Sequence, residues 1–132
     1  MIWAIGESSS QEVDRLGIVK ATRLAMKRAI RSLRTEPDII LVDGREVIDL
    51  SIKQQSIIDG DASVLSIAAA SIIAKVYRDQ LMADYDNMYP GYGFSQHVGY
   101  GTAFHREALV SYGSTPIHRL TYKPLVALEL RA

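Results

Sequence analysis

The chain has 132 residues, of which 48% are hydrophobic and 23% charged, a composition typical of one globular domain that can bury a core. Fifteen basic residues balance fifteen acidic ones, so the bulk charge does not indicate nucleic-acid or membrane binding, and any such site must be local. The chain has no cysteine, which excludes disulfides and zinc–thiolate sites and fits a cytoplasmic location. No apolar run reaches the about 20 residues needed to cross a bilayer, and the first ten residues lack the pattern of a signal peptide.

The N-terminal part predicts a strand followed by helices. Ile2–Ile5 is short and apolar, which favours a strand. Ser9 and Glu12 have the spacing of a capping box and predict a helix start. Gly17 then indicates a break. Over Ile18–Leu33, apolar residues recur at helical intervals with basic residues between them, which predicts an amphipathic helix with a basic outer face.

Residues 38–44 predict a buried strand. Pro37 ends the preceding helix, and the four apolar residues Ile39–Val42 are typical of a strand buried on both faces in a parallel sheet. A strand, a helix and a second strand predict a right-handed crossover and the α/β class. Residues 56–58 indicate a further short strand.

The second half predicts helices around a loop. Asp61 or Ser63 is expected to cap a helix that runs to about Asp86. Residues 89–102 are rich in glycine and tyrosine and predict an ordered loop. Three further features complete the chain: a helix over Ala103–Tyr112 that Thr102 caps and Gly113 ends, a segment with Pro116 and Pro124, and the apolar stretch Leu125–Leu130.

Asp43 is the first candidate for chemistry because it directly follows the predicted buried strand. In open α/β sheets, ligands gather beyond the C-terminal ends of strands, so a carboxylate there is a metal-binding or catalytic candidate. The alternative is an Asp43–Gly44 turn, which the spacing alone favours.

Asp79 is the second candidate, on the long predicted helix. It shares a helix face with mostly apolar residues, so periodicity favours a buried position, where the carboxylate would have to be paired or metal-bound. The alternative is a surface pair with Lys75, worth only about 0.3–0.5 kcal/mol.

Other polar residues carry weaker signals. Asp59 and Asp61 flank Gly60, where a turn or a helix cap is favoured over a ligand role. The three histidines, His97, His105 and His118, lack zinc spacing, and His97 is a candidate phosphate contact with a structural role as the alternative. The loop tyrosines Tyr89, Tyr92 and Tyr100 are candidates for stacking on nucleotides or for anchoring the loop.

An ordered series of segments resembles the ribonuclease HII family. The segments are WAIGE with EVDRLGI within residues 3–18, ILVDG at 40–44, IIDGDA at 57–62, SIAAASIIAKVYRD at 66–79, YPGYGFSQHVGYGT at 89–102 and PIHR at 116–119. The series covers essentially the whole chain, and the middle helix and the tyrosine loop are its most specific parts.

The resemblance implies a ribonuclease H-like α/β fold with a mixed sheet, flanking helices and a C-terminal helical and loop region. We expect a single partial domain over residues 1–132, with a strand–helix–strand core to about residue 60 and a helical, substrate-binding region from about residue 61. The expected partner is an RNA–DNA hybrid or a DNA duplex with an embedded ribonucleotide, with no membrane partner. Family members cut the RNA strand by two-metal hydrolysis with Mn²⁺ or Mg²⁺, in ribonucleotide excision and DNA replication, and leave 5′-phosphate and 3′-hydroxyl ends.

The resemblance also assigns roles to individual residues. Asp43 and Asp79 match two of the four catalytic, metal-binding carboxylates of the family, and the alanine-rich helix is expected to lie close to the sheet and present Asp79 beside Asp43. Tyr100 matches the tyrosine that stacks on a sugar at the RNA–DNA junction. The further substrate-binding candidates are His97, Lys75, Arg45 and Arg119.

The sequence departs from the family at its start. The motif Asp-Glu-Ala-Gly-Arg-Gly, which supplies two more carboxylates, does not occur, so the fold is expected to lack its first two central strands. We therefore expect this chain alone to be a weak or inactive nuclease, with exposed apolar surface and self-association through a sheet edge. A non-catalytic remnant that binds hybrid nucleic acid or a partner protein is the alternative, as is a structural module without a ligand. Asp59 and Val98 stand where the family usually has basic residues, which lowers the expected attraction for phosphate.

Overall fold

The chain folds into seven helices and two parallel strands over residues 1–129, the part that the computed structural model describes. The end of the stretch Leu125–Leu130 therefore lies outside the described residues. The elements in chain order are α1 Ser10–Leu16, α2 Ile18–Arg31, β1 Ile39–Asp43, β2 Lys53–Ile57, α3 Gly60–Ser63, α4 Leu65–Met88, α5 Phe94–His97, α6 Ala103–Tyr112 and α7 Lys123–Glu129. The predicted α/β class is confirmed, with a parallel rather than mixed sheet in the described residues. None of the described helices is long and apolar enough to cross a membrane.

The chain divides into two compact units, Met1–Ala74 and Lys75–Ala132. The first has a core of Ile40, Val42 and Ile48, against which α2 packs. The second has a core of aromatic and aliphatic residues from the glycine-rich loop, α6 and α7.

The predicted strand Ile2–Ile5 is wrong, because these residues pair with no strand in the described chain. The N-terminal segment instead runs against α2. A Cβ atom at Gly6 would lie only 2.0 Å from the Ala25 carbonyl oxygen, so only glycine allows this approach. The Ser8 hydroxyl also donates to the Ala21 carbonyl at 2.7 Å. The predicted crossover therefore has no first strand among the described residues.

The predicted capping box is confirmed at the start of α1. The Glu12 amide donates to the Ser9 hydroxyl, and the Ser9 amide donates to the Glu12 carboxylate. Arg28 of α2 holds the same carboxylate with two hydrogen bonds of 2.6 and 2.7 Å. These donors lower the pKa of Glu12 to about 2, Arg28 being the larger cause. Gly17, at φ 82°, forms the predicted break between α1 and α2.

Strands β1 and β2 pair in parallel, with Ile39 opposite Lys53 and Asp43 opposite Ile57. Ile40 and Val42 are buried, whereas Ile39 is exposed and Leu41 is partly buried. The prediction that β1 is buried on both faces is therefore wrong. The reason is that the described core of this unit packs against the face that carries Ile40 and Val42.

Gln54 fastens the connection between the two strands. Its side-chain oxygen accepts from the Ile48 amide at 2.9 Å, and its nitrogen donates to the carbonyls of Ile48 and Leu50 at 2.6 and 3.2 Å. The connection between the strands is short and has no helix, so these bonds supply partners that regular structure does not. They hold the buried Ile48 against β1.

The second half differs from the prediction at the start of α4 and in the short helix α5, which lies within the predicted loop of residues 89–102. Helix α4 begins at Leu65, after Val64, so neither Asp61 nor Ser63 caps it, and both lie in the separate short helix α3. Helix α6 begins and ends where predicted. Thr102 accepts from the His105 amide at 3.2 Å, and Gly113 is the C-cap.

Replacing Gln54 by leucine should lower the free energy of unfolding by about 1–3 kcal/mol, because partly buried backbone groups of the connection lose their partners. The matched control is Gln55→Leu, an exposed position one residue along β2, which should change stability by less than about 0.5 kcal/mol. Urea unfolding followed by circular dichroism measures both. Equal losses in the two variants would contradict the role given to Gln54.

Candidate functional site

The Asp43 carboxylate lies at the C-terminal end of β1, and the following helix holds it in place. The Gly60 amide at the start of α3 donates to Asp43 Oδ1 at 2.9 Å. The Gly44 amide donates to the Ile57 carbonyl at 2.8 Å, which joins the ends of the two strands. No other hydrogen bond to this carboxylate is found within the described residues, and its surface is exposed. One oxygen is thus oriented by backbone while the other can take a cation.

Asp79 lies on the surface of α4, and the prediction of a buried position is wrong. Its side chain is 46% exposed and pairs with Lys75 at 3.1 Å, the alternative left open by the sequence. The apolar residues expected to bury that face, Ile72 and Val76, are themselves 63% and 64% exposed. The exposed pair contributes little to stability, so either side chain is available to a ligand at small cost.

Tyr100 presents its ring to solvent while its backbone is fixed. The residue is 72% exposed. Its amide donates to the His97 carbonyl at 2.9 Å, and its carbonyl accepts from the Thr102 amide at 2.9 Å. The ring is therefore an exposed aromatic surface on a rigid base.

His97 is buried, and both of its ring nitrogens are bonded to backbone. Nε2 lies 2.7 Å from the Tyr92 carbonyl, and Nδ1 accepts from the Gly99 amide at 3.1 Å. These contacts correspond to the structural alternative, and they leave neither nitrogen directed at a phosphate.

Two other predicted substrate contacts also lie in defined surroundings. The Arg119 guanidinium stands 4.7 Å from the centre of the Tyr122 ring, a cation–π contact. Arg45 is exposed, two residues after Asp43. The structure thus brings Lys75 and Asp79 together in the second unit, while Asp43 and Arg45 belong to the first.

Arg78 connects α4 to the loop of residues 89–102, which is rich in glycine and tyrosine. The sequence did not predict this contact. Its Nη2 donates to the Val98 carbonyl at 2.9 Å. Val98 and Gly99 stand at φ 45° and 89°, the left-handed region that a β-branched residue rarely occupies. Arg78 directly precedes Asp79, so the same helix carries the candidate carboxylate and a donor to the loop. The only available signal was a basic residue next to that carboxylate.

His105 and His118 form a buried pair beneath the loop. His105 Nδ1 lies 2.9 Å from the Tyr100 carbonyl, and the two Nε2 atoms lie 3.2 Å apart. The His105 ring stacks on His97 at 4.2 Å between centres. Burial is the largest cause that lowers the pKa of both His105 and His118. Sequence spacing could not find this pair, because 13 residues separate its members.

Comparisons with known proteins identify the family and the fold. The family model described as ribonuclease HII matches residues 4–125. The chain belongs to the ribonuclease HII family. A solved structure, the ribonuclease H2 from Pyrococcus horikoshii OT3, has the same fold, with a TM-score of 0.73 at 24% sequence identity. The match covers 93% of this chain and 66% of the Pyrococcus chain, so this chain spans just under two thirds of that protein's length.

The two candidate carboxylates suit the divalent metals that the ribonuclease HII family uses. Mg²⁺ and Mn²⁺ prefer oxygen ligands, and Mg²⁺ is commonly held by one or two carboxylates with water and substrate phosphates. Asp43 has one oxygen oriented by backbone, and Asp79 is held only by a surface pair. In the described part of the chain, no three histidine, aspartate or glutamate side chains gather into a group that could hold a metal ion. Asp43 and Asp79 therefore suit the metal as single carboxylate ligands, and they are not part of a preformed site with three or more such side chains in the described residues.

The ring resonances of His105 and His118 should titrate below pH 6.5, since burial favours the neutral rings in the folded chain. As the pH falls below 6.5, the unfolded chain binds protons that the folded chain does not. The stability that the neutral rings contribute is therefore complete above pH 6.5, and it is lost as the pH falls through the pKa values of the two rings in the folded chain. NMR titration of the ring carbon-bound protons measures the midpoints. The control is the same chain in urea, and folded midpoints equal to or above the unfolded ones would contradict this prediction.

Proposed function

We propose that this protein is an endonuclease that hydrolyses the RNA strand of RNA–DNA hybrids, and of DNA duplexes at embedded ribonucleotides, leaving 5′-phosphate and 3′-hydroxyl ends. The observation that carries the proposal is the ribonuclease HII match over residues 4–125, which includes Asp43, Asp79 and Tyr100. The fold shared with the Pyrococcus ribonuclease H2 supports it. The absence of cysteine fits a cytoplasmic location for this activity.

We infer that Asp43 and Asp79 are the catalytic carboxylates and bind the divalent metal, Mn²⁺ or Mg²⁺. When bound, such a metal activates water and stabilises charge on the phosphodiester. The Gly60 amide supports this role for Asp43, because it fixes one oxygen and leaves the other for the cation. Asp79 has to exchange its pair with Lys75, which costs little at an exposed position.

Tyr100 is the proposed contact to the nucleotide sugar at the RNA–DNA junction. Its exposed ring offers a face for stacking, and its backbone hydrogen bonds fix the position from which the ring projects. Contact with a 2′-hydroxyl is how a protein distinguishes RNA from DNA at one position.

Phosphate contacts are assigned to the basic side chains. Lys75, once released from Asp79, and the exposed Arg45 can each neutralise a phosphate. Arg119 can donate to a phosphate while its guanidinium stays over the Tyr122 ring. The buried, backbone-bonded His97 contributes through the shape of the loop.

Replacing Asp43 or Asp79 by asparagine should reduce cleavage by at least about a hundredfold, because a metal supplies several kcal/mol of transition-state stabilisation. The matched controls are Asp38→Asn, just before the other end of β1, and Asp84→Asn, an exposed position further along α4. The controls should stay within about threefold of the parent chain, as expected for surface changes away from the site. The assay uses a labelled duplex with one ribonucleotide and Mn²⁺.

The assay is run with the chain alone and with a peptide that carries the Asp-Glu-Ala-Gly-Arg-Gly motif, since the resemblance assigns two further carboxylates to it. We expect weak or no cleavage by the chain alone and cleavage when the peptide is added. Binding of the duplex without cleavage under both conditions would instead support the non-catalytic alternative. Undiminished cleavage by both asparagine variants would contradict the roles of Asp43 and Asp79.

A further inference from the structure

The Tyr100 ring is exposed, but the carbonyl of the same residue lies at the end of a series of hydrogen bonds that runs through two buried histidines. The carbonyl lies 2.9 Å from His105 Nδ1. His105 Nε2 lies 3.2 Å from His118 Nε2. His118 Nδ1 lies 2.9 Å from both the amide and the hydroxyl of Thr115. The exposed loop is thus connected to a segment 15 residues further along the chain.

One backbone amide determines the direction of every hydrogen bond in the series that joins Thr115, His118, His105 and Tyr100. The Thr115 amide can only donate, so His118 Nδ1 is an acceptor and the proton of the neutral ring is on Nε2. His118 therefore donates to His105 Nε2, which leaves the His105 proton on Nδ1. His105 Nδ1 then donates to the Tyr100 carbonyl. Any other tautomer breaks at least one of these bonds.

The surroundings favour the neutral form of both rings. His105 and His118 are 6% and 9% exposed. The titratable groups against them are His97, stacked on His105, and Tyr92, whose ring centre lies 5.6 Å from that of His118. The aromatic ring of Phe94 closes a further side of both. A proton added to His118 Nδ1 would point at the Thr115 amide, which is itself a donor, and the hydrogen bond between them would be lost.

We propose that His105 and His118 are positioning residues that fix the Tyr100 carbonyl and thereby set the backbone position from which the Tyr100 ring reaches bound nucleic acid. This inference rests on the proposed function, in which that ring contacts the substrate. Arg78 restrains the other side of the same loop through the Val98 carbonyl, so the loop is held at two points. The two histidines act through Tyr100 and do not themselves contact the substrate.

The test is a double-mutant cycle between His105 and Tyr100, with binding of a labelled DNA duplex containing one ribonucleotide measured by fluorescence anisotropy in EDTA. His105→Leu should weaken binding about tenfold, the loss expected for one buried hydrogen bond. His105→Asn, whose amide can donate from near the Nδ1 position, should retain most of the affinity. In the Tyr100→Ala background, His105→Leu should weaken binding no further.

Each outcome decides a separate claim. An equal loss from His105→Leu with and without Tyr100→Ala would show a general structural effect and overturn the inference. A loss from Tyr100→Ala but none from His105→Leu would overturn the inference and leave the proposed function intact. No loss from Tyr100→Ala would overturn the proposed substrate contact and the inference with it.

A second measurement does not depend on binding. Long-range ¹H–¹⁵N spectra of the imidazole rings should show the His105 proton on Nδ1 and the His118 proton on Nε2. His118→Asn keeps an acceptor for the Thr115 amide but removes the donor to His105 Nε2, so the ¹⁵N shift of that nitrogen should change while the proton stays on Nδ1, where the Tyr100 carbonyl accepts it. A His105 proton on Nε2 in the parent chain would overturn the inference.

Discussion

The hydrogen bond from the Gly60 amide to Asp43 is the contact on which the candidate chemistry of the first unit depends. It forms because β1 and β2 run parallel, with Asp43 opposite Ile57, so the chain leaving β2 turns back beside the end of β1. Gln54 keeps this register by fastening the connection between the strands. The position of one carboxylate thus follows from strand pairing, as expected at the carboxyl ends of parallel strands.

The second unit fixes the backbone beneath an exposed aromatic ring. Its core is built from Tyr92 and Phe94 of the loop itself, whose rings stack at 5.3 Å, together with residues of α6 and α7. Two buried histidines bond to backbone of the loop, His97 to Tyr92 and Gly99 and His105 to Tyr100, and the third, His118, bonds to His105. The loop is consequently rigid at its base, while the Tyr100 ring remains open to solvent.

Local signals in the sequence predicted the parts of the fold that depend on neighbouring residues. The Ser9 and Glu12 capping box, the Thr102 cap and strand β1 are examples, because each depends on contacts or on an apolar pattern within a few residues. The strand at Ile2–Ile5 failed because a strand needs a partner, and the described chain offers it α2 instead.

The candidate site was predictable in its residues but not in their surroundings. Motif resemblance selected Asp43, Asp79 and Tyr100, yet helical periodicity placed Asp79 on a buried face that is in fact exposed. Periodicity reports which residues share a face and cannot say whether another element covers that face. The hydrogen-bonded pair of His105 and His118 could not be predicted for a similar reason, since its bonds join residues that are far apart in sequence.

The measurement that tests the central claim most directly is Mn²⁺ binding by calorimetry, with the parent chain compared with the Asp43→Asn and Asp79→Asn variants and their controls Asp38→Asn and Asp84→Asn. The account predicts saturable binding that each of the first two substitutions weakens at least about tenfold, the loss expected when a charged oxygen ligand becomes a neutral one. The controls should bind as the parent chain does. Equal Mn²⁺ affinity in all five proteins would contradict the assignment of Asp43 and Asp79 as the metal-binding carboxylates.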